Sequence, residues 1–305
     1  MIGTDRTVEE VTVDSRNYTY GERSMMAAIR GRNHDGHDFI DAAYGHGVRA
    51  FLISHEPKTI YQDAGYVLVD DTLEALQRLA ADYRKGFGGK IVAVTGSTDK
   101  TLVKEWCAQS APDEVKIFRS PKSYNSQLGV ALSLLMIEGD EQVAIVEAGI
   151  SHPDQMARLE EMIRPDVAII TNIGEQHSEN FSSVEEKVAE KIVLARRAEK
   201  LIFDSSIAPI ATAADQILAE KCDCNDYNDE CLIMRDRSLQ RSAQMATAMW
   251  CVLGYEISQV RDRVRHLRPL AMRMELKEGI NSSIILNDSS NADVNSLAIA
   301  LDALL

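Results

Sequence analysis

The sequence predicts an α/β protein built around a parallel sheet covered by helices on both faces. Three observations carry that expectation. Apolar runs such as Ile91-Val92-Ala93-Val94 and Val143-Ala144-Ile145-Val146 are continuous rather than alternating, as strands buried on both faces require. Helical patterns follow these runs in turn, the rhythm of strand–helix crossovers. Lys90-Ile91-Val92-Ala93-Val94-Thr95-Gly96-Ser97-Thr98-Asp99-Lys100-Thr101 reads as an apolar strand, a tight turn and a Lys-Thr pair opening a helix. That layout gathers free backbone N–H groups, an ammonium and a hydroxyl at one point, which is how a chain holds nucleotide phosphates and a magnesium ion.

The elements follow in order. Strands are expected at 11–13, 50–54 and 66–69, and helices at 37–46 and 72–84. Gly86-Phe87-Gly88-Gly89 reads as a joint between domains. Strand 91–95 then leads to a helix from 101, strand 116–119 to a helix over 125–137, and strand 143–147 to a helix over 154–163. Strand 167–172 leads to a helix over 183–197, which Ser183 and Glu186 open as a capping box, and strand 201–204 follows. Helices at 242–254 and 258–267, a strand at 283–287 and a helix over 291–305 complete the chain, the last pair reading as the beginning of a third domain. Ligands of parallel sheets bind at the carboxyl ends of strands, and the phosphate-loop pattern and the other chemistry-bearing residues fall there.

Composition narrows the function classes. With 33 Lys+Arg against 47 Asp+Glu the net charge is −14, which argues against a nucleic-acid binder and leaves an anionic substrate only a locally basic cleft. Neither a membrane-spanning run nor a signal-peptide pattern is present, and 5 cysteines in 305 residues fit a reducing cytoplasm. Cys222, Cys224 and Cys231 lack the fourth ligand and the spacing of a metal site and read as a solvated surface loop.

Lys100 can reach terminal phosphates, and Thr101 can give its hydroxyl to magnesium. Glu147 ends an apolar strand, where it is either a metal ligand or a turn carboxylate. His177 lies in Thr171-Asn172-Ile173-Gly174-Glu175-Gln176-His177, just past another strand end. Lys191 falls on the buried stripe of its helix, between Val184 and Ala195, where a lysine must snorkel, pair or do chemistry.

The chain resembles the Mur ligases, ATP-dependent builders of the peptide stem of cell-wall precursors. Within them it is most similar to the type that adds D-alanyl-D-alanine to UDP-N-acetylmuramoyl-tripeptide, in the form fused to alanine racemase. The phrases that carry the likeness occur in family order. They include Val13-Asp14-Ser15-Arg16, Asn33-His34-Asp35-Gly36-His37-Asp38-Phe39-Ile40, Arg119-Ser120-Pro121-Lys122-Ser123-Tyr124-Asn125 and Glu147-Ala148-Gly149-Ile150-Ser151. Arg164-Pro165-Asp166, Thr171-Asn172-Ile173-Gly174, Ala271-Met272-Arg273-Met274-Glu275 and Asn287-Asp288-Ser289-Ser290-Asn291-Ala292-Asp293 follow. The resemblance implies a UDP-sugar-binding α/β domain at 1–86, a central parallel-sheet P-loop ATPase domain at 87–283 and the start of a Rossmann-like third domain at 284–305. It implies ATP held by Gly96, Ser97, Thr98, Asp99, Lys100, Thr101, Arg273 and Asp288, one Mg2+ held by Thr101 and Glu147, a second that His177 helps to hold, and a carbamylated Lys191 as a metal ligand. Asp14, Ser15 and Arg16 would meet the UDP-sugar, and Lys122, Ser123 and Asn125 the growing peptide. The implied reaction runs through an acyl phosphate, with Lys100, His177 and Lys191 in catalytic positions, in the cytoplasm.

Three positions depart from the family pattern. Asp99 replaces a loop glycine, Ser242 an asparagine that reads adenine, and Ser290 an aromatic residue. A carboxylate about 4 Å from a phosphate costs about 1 kcal/mol in water and about 4 kcal/mol at an effective dielectric near 20. That range weakens binding about five- to a thousand-fold. A catalytically silent relative that binds a UDP-sugar peptide or a partner is therefore the alternative expectation. A folylpolyglutamate synthase is disfavoured by the N-terminal Asp-Ser-Arg and Asp-Gly-His phrases.

Overall fold

The computed structural model describes residues 2–14, 21–31, 33–174, 178–228, 237–273, 275–289, 297 and 301. In chain order the first elements are strands β1 (Ile2–Gly3), β2 (Glu10–Thr12) and β3 (Ser24–Ala27), helix α1 (Ile40–Gly45), strands β4 (Ala50–Ile53) and β5 (Gly65–Leu68), and helix α2 (Thr72–Lys85). Then come β6 (Lys90–Thr95), α3 (Lys100–Gln109), β7 (Ile117–Arg119), α4 (Gln127–Leu135), β8 (Val143–Glu147), α5 (Met156–Ile163) and β9 (Val167–Ile170). They are followed by α6 (Val184–Ile192), β10 (Lys200–Phe203), α7 (Ala208–Ala214), β11 (Glu220–Asp223), α8 (Arg237–Val252), α9 (Ile257–Val264), β12 (Glu275–Glu278) and β13 (Ile284–Asn287). Among the described residues no helix is long and apolar enough to cross a membrane.

Two compact units form. The first comprises Met1–Gly88, Tyr124–Gly139 and Glu161–Ile163; the second comprises Gly89–Ser123, Asp140–Glu160 and Arg164–Leu305. In the first unit the sheet order is β1-β5-β4-β3-β2, parallel except for the β1–β5 edge pair. Its core joins Met26, Ile40, Val48, Phe51, Ile53 and Tyr66. Helix α4 packs on α2, and Tyr83 Oη donates to the Ile137 carbonyl at 2.7 Å.

The second unit holds a six-stranded parallel sheet in the order β11-β10-β9-β6-β8-β7. Successive residues of β9 serve opposite faces. Val167 and Ile169 join the core formed with α3 and α8, whereas Ala168 and Ile170 join the core formed with α6 and α7. That alternation on a fully apolar strand is what helices on both faces demand. Trp106 of α3 and Trp250 of α8 are fully buried in the first of these cores, and the Trp250 indole N–H donates to the Cys107 carbonyl at 2.9 Å. Strand β6 lies between β8 and β9, so the chain leaving its carboxyl end enters the crevice where the sheet order reverses.

Several elements differ from the sequence reading. Cys222 lies in edge strand β11, paired with Ile202, and Cys224 is fully buried in the main core, so these two are not a solvated loop; Cys231 lies outside the described residues. The Ser183 hydroxyl accepts from the Glu186 amide, but the Glu186 carboxylate accepts from the amide and hydroxyl of Ser182, one residue earlier than a capping box requires. Strand β13 pairs antiparallel with β12, and the helix expected over 291–305 lies outside the described residues apart from helical Leu297 and Leu301.

Truncating Trp250 to alanine opens a cavity and removes the indole donor to the Cys107 carbonyl. It is expected to destabilise the second unit by about 3–5 kcal/mol, read as a lowered midpoint in urea unfolding.

Candidate functional site

The turn between β6 and α3 is wired to the segment after β9. The Ser97 amide donates to the Asn172 carbonyl at 2.8 Å, and the Thr98 amide to Asn172 Oδ1 at 2.9 Å. The Thr171 hydroxyl donates to the Thr98 carbonyl at 2.7 Å, and the Asn172 amide group donates to the Thr98 hydroxyl. Gly96 has φ +149°, and a Cβ on it would lie 1.9 Å from Thr171 Oγ1, so a side chain there would push the two segments apart.

Asp99 adopts the left-handed conformation, φ 63° and ψ −1°, immediately before α3. This is the geometry that makes glycine the usual residue at such a place. Its carboxylate accepts from Ser238 Oγ at 3.1 Å, Asn172 Nδ2 at 3.2 Å and Thr98 Oγ1 at 3.4 Å. Burial pushes its pKa up, opposed by the Ser238 bond, the Arg273 charge, the Thr98 bond and the Lys100 charge.

Four lysines gather around this turn. Lys100 Nζ donates to the carbonyls of Gly96 (3.0 Å) and Ser97 (2.7 Å). Lys191 Nζ donates to the same Gly96 carbonyl at 2.9 Å, and the residue is 3 % exposed, as its place on the apolar stripe requires. Burial, reinforced by the charges of Lys100 and Lys187 and opposed by Glu190, lowers the Lys191 pKa to about 7. Burial also lowers that of Lys100; Glu147 and Asp99 oppose this, while Arg273 and Lys187 add to it. Lys187, buried on the turn of α6 before Lys191, donates to the Gly174 carbonyl at 2.6 Å and to Ser178 Oγ at 3.1 Å. Lys104 has no exposed surface and donates to the carbonyls of Ser120 (2.7 Å) and Lys122 (2.5 Å). Four lysine side chains thus converge in a chain of net charge −14, with Asp99, Glu105 and Glu147 among them.

Thr101 Oγ1 donates to Glu147 Oε2 at 2.8 Å, joining the first turn of α3 to the end of β8. Glu147 is 1 % exposed, and its amide donates to Ser120 Oγ at 3.2 Å. Ser123 Oγ lies 3.5 Å from Thr101 Oγ1. A hydroxyl and a buried carboxylate side by side are hard oxygen donors, the set that suits Mg2+.

The other expected residues are placed as follows. Lys122 is exposed and holds a left-handed φ of 49°. Arg273 is half-buried, and its charge acts on both Asp99 and Lys100. Asp288 is half-buried just past β13, and Ser242 is buried in α8. Asp14 and Asn125 belong to the first unit; the Asp14 amide donates to Thr12 Oγ1 at 3.0 Å. Ser15, Arg16, His177 and Ser290 lie outside the described residues. Sequence reasoning missed Lys104, Lys187 and Ser238. For Lys104 the signal was present: a lysine among Leu102, Val103, Trp106 and Cys107 sits on a buried helix face, as Lys191 does.

Comparison with known proteins agrees with this architecture. Residues 94–228 match the model "Mur ligase middle domain", and residues 7–84 match "Mur ligase family, catalytic domain". A UDP-N-acetylmuramoyl-tripeptide–D-alanyl-D-alanine ligase of Bacillus subtilis is 25% identical over 320 residues, covering 96% of this chain and 69% of that protein. The structure of MurF from Acinetobacter baumannii superposes with a TM-score of 0.86 at 20% identity, over 97% of this chain and 70% of the other. MurF ligase from Thermotoga maritima, solved in complex with ADP, gives a TM-score of 0.81 at 20% identity, over 97% and 74%. With both family domains matched in succession and the fold reproduced over nearly its whole length, the chain belongs to the Mur ligase family.

Proposed function

We propose that this chain is the nucleotide- and UDP-sugar-handling part of an ATP-dependent ligase that joins D-alanyl-D-alanine to UDP-N-acetylmuramoyl-tripeptide. The observation that carries the reading is the Thr101–Glu147 pair joining the first turn of α3 to the end of β8, set beside a loop whose Gly96 carbonyl receives both Lys100 and Lys191. The name of the Bacillus subtilis relative supports the substrates, and the ADP in the Thermotoga maritima structure supports the nucleotide.

In this reading the terminal carboxylate of the tripeptide attacks the γ-phosphorus of ATP. An O–P bond forms to give the acyl phosphate, and ADP leaves. The amine of D-alanyl-D-alanine then attacks the acyl carbon, the amide forms, and phosphate leaves with the electron pair of the broken C–O bond. Lys100 neutralises charge on the transferring phosphoryl group, swinging from the loop carbonyls to the nucleotide. Thr101 and Glu147 would hold one Mg2+, His177 would help hold a second, and Lys191 as its carbamate would be a further metal ligand. Such ions would supply charge neutralisation for phosphoryl transfer. Lys122, Ser123 and Asn125 orient the peptide, Asp14, Ser15 and Arg16 the UDP-sugar, and Arg273 and Asp288 the nucleotide. Domain limits at 86/87 and 283/284 are proposed with these roles, in a cytoplasmic setting.

The left-handed Asp99 favours one second reading, a relative that keeps the fold without turnover. Calorimetric titration with ADP and Mg2+ separates the two. The ligase reading expects micromolar binding by the unaltered chain and at least tenfold weaker binding by Thr101→Val with Mg2+, with little change in EDTA. Millimolar binding that becomes micromolar in Asp99→Gly would instead support the silent relative.

Lys191 gives a pH prediction. Its amine in the folded chain is neutral above about pH 7, whereas in the unfolded chain it stays protonated to pH 10.5. Between those values the unfolded state binds the extra proton, so this group makes stability rise with pH through that window, and below about pH 7 its burial penalty is constant. The neutral amine is also the form that adds CO2 to give a carbamate and a proton. Ligase activity is therefore expected to fall below about pH 7, to respond to bicarbonate there, and to be lost in Lys191→Met. Activity indifferent to bicarbonate and retained in Lys191→Met would sink the carbamate assignment.

A further inference from the structure

Lys104 is a lysine with no exposed surface, one turn past Thr101 on α3, and nothing in the ligase chemistry above uses it. Leaving an ammonium in a protein interior is costly unless its donors are consumed and its charge is matched. Here both conditions hold. Two donors go to the Ser120 and Lys122 carbonyls at 2.7 and 2.5 Å, and Glu105 Oε1 lies at 3.2 Å. Glu105 is itself paired with Arg119 Nε at 3.0 Å. Glu147 Oε2 stands 4.0 Å from Lys104 Nζ, beyond hydrogen-bond distance but close enough for the two buried charges to balance.

The two carbonyls belong to the turn that leaves β7. That turn contains Lys122 at φ 49°, a conformation a non-glycine residue holds only when its surroundings enforce it. Ser120 in the same turn receives the Glu147 amide, and Ser123 comes within 3.5 Å of Thr101. One ammonium therefore touches or faces every piece that meets at Thr101: the turn, the end of β8 and its carboxylate.

We infer that Lys104 is a positioning residue, whose sealed ammonium holds the 120–123 turn and the Glu147 carboxylate in register with Thr101 before a metal-bound nucleotide arrives. This rests on the nucleotide-and-metal reading proposed above. Its direction is not trivial, because a cation close to a metal ligand also repels a divalent ion. The 4.0 Å separation decides the sign: the ammonium spends its donors on carbonyls and does not compete for the carboxylate oxygen that bonds Thr101.

The test uses the full chain with Lys104→Met, and with Lys104→Gln as a smaller change that keeps a donor. ADP binding is measured by calorimetry in EDTA and across a Mn2+ series, with hydrogen exchange at the Ser120, Lys122, Ser123 and Glu147 amides as a readout free of nucleotide. The expected result is ADP affinity in EDTA within twofold of the unaltered chain. The Mn2+-dependent gain falls at least tenfold in Lys104→Met and by an intermediate factor in Lys104→Gln. Exchange speeds up at those amides and stays slow in β6. Unchanged or tighter Mn2+-dependent binding in either folded variant would overturn the inference, since charge repulsion would then outweigh positioning. If the unaltered chain shows no Mn2+-dependent ADP binding, the parent reading fails and the inference with it, a result distinct from a gain that merely survives the substitution.

Discussion

The bonding between the 96–99 turn and Thr171-Asn172 is the constraint on which the rest of the site depends. Neighbouring parallel strands bring two loops side by side, but they do not fix one against the other. Here two backbone amides, a hydroxyl and a carboxamide do so, and the missing Cβ of Gly96 lets Thr171 close in. Once the turn is fixed, the Gly96 carbonyl becomes a docking point for Lys100 from the following helix and Lys191 from α6. The first turn of α3 is aimed by the same constraint, which is why Thr101 meets Glu147 across the β6–β8 edge.

Burying several ammonium groups in so small a region would be prohibitive if each lacked acceptors. Each of Lys100, Lys104, Lys187 and Lys191 donates to a backbone carbonyl, and Lys104 also has the Glu105 and Glu147 carboxylates beside it. At Lys100, an incoming polyphosphate can replace the Gly96 and Ser97 carbonyls with full negative charges. A lowered pKa at Lys191 is the residue of that arrangement, since burial and two like charges act on it together.

Much of this was legible in the sequence because it depends on local pattern. Apolar runs located the β6, β8 and β9 strands, their ends located Glu147 and the phosphate turn, and the helical stripe of α6 put Lys191 inside. What stayed hidden depends on tertiary neighbours. Strand β11 reads Glu-Lys-Cys-Asp and helix α7 reads Ala-Pro-Ile-Ala-Thr-Ala-Ala, so neither shows the periodicity of a buried element. Strand β3, Ser-Met-Met-Ala, is buried throughout yet is poor in β-branched residues. The sequence leaves Glu147 between metal ligand and turn carboxylate, and its 2.8 Å bond from Thr101 is a tertiary contact that no local pattern reveals. Lys104 carried the same stripe signal as Lys191, but its acceptors come from a turn near residue 120 that no local pattern on α3 reveals.

Asp99 shows why a departure from a motif must be read with its surroundings. An aspartate placed at a left-handed position costs roughly 1–2 kcal/mol relative to glycine when nothing compensates. Here compensation is present: Ser238, Asn172 and Thr98 all donate to its carboxylate. Three side chains hold the residue, one of them from the first turn of α8. The carboxylate is also outnumbered, because Lys100 and Arg273 both act on it while burial favours its neutral form. A phosphate entering this loop therefore meets a carboxyl group already turned to three donors and set in a positive field. The like-charge penalty expected from sequence alone is its upper bound, reached only if the carboxylate swings free of Ser238 and Asn172 towards the phosphates.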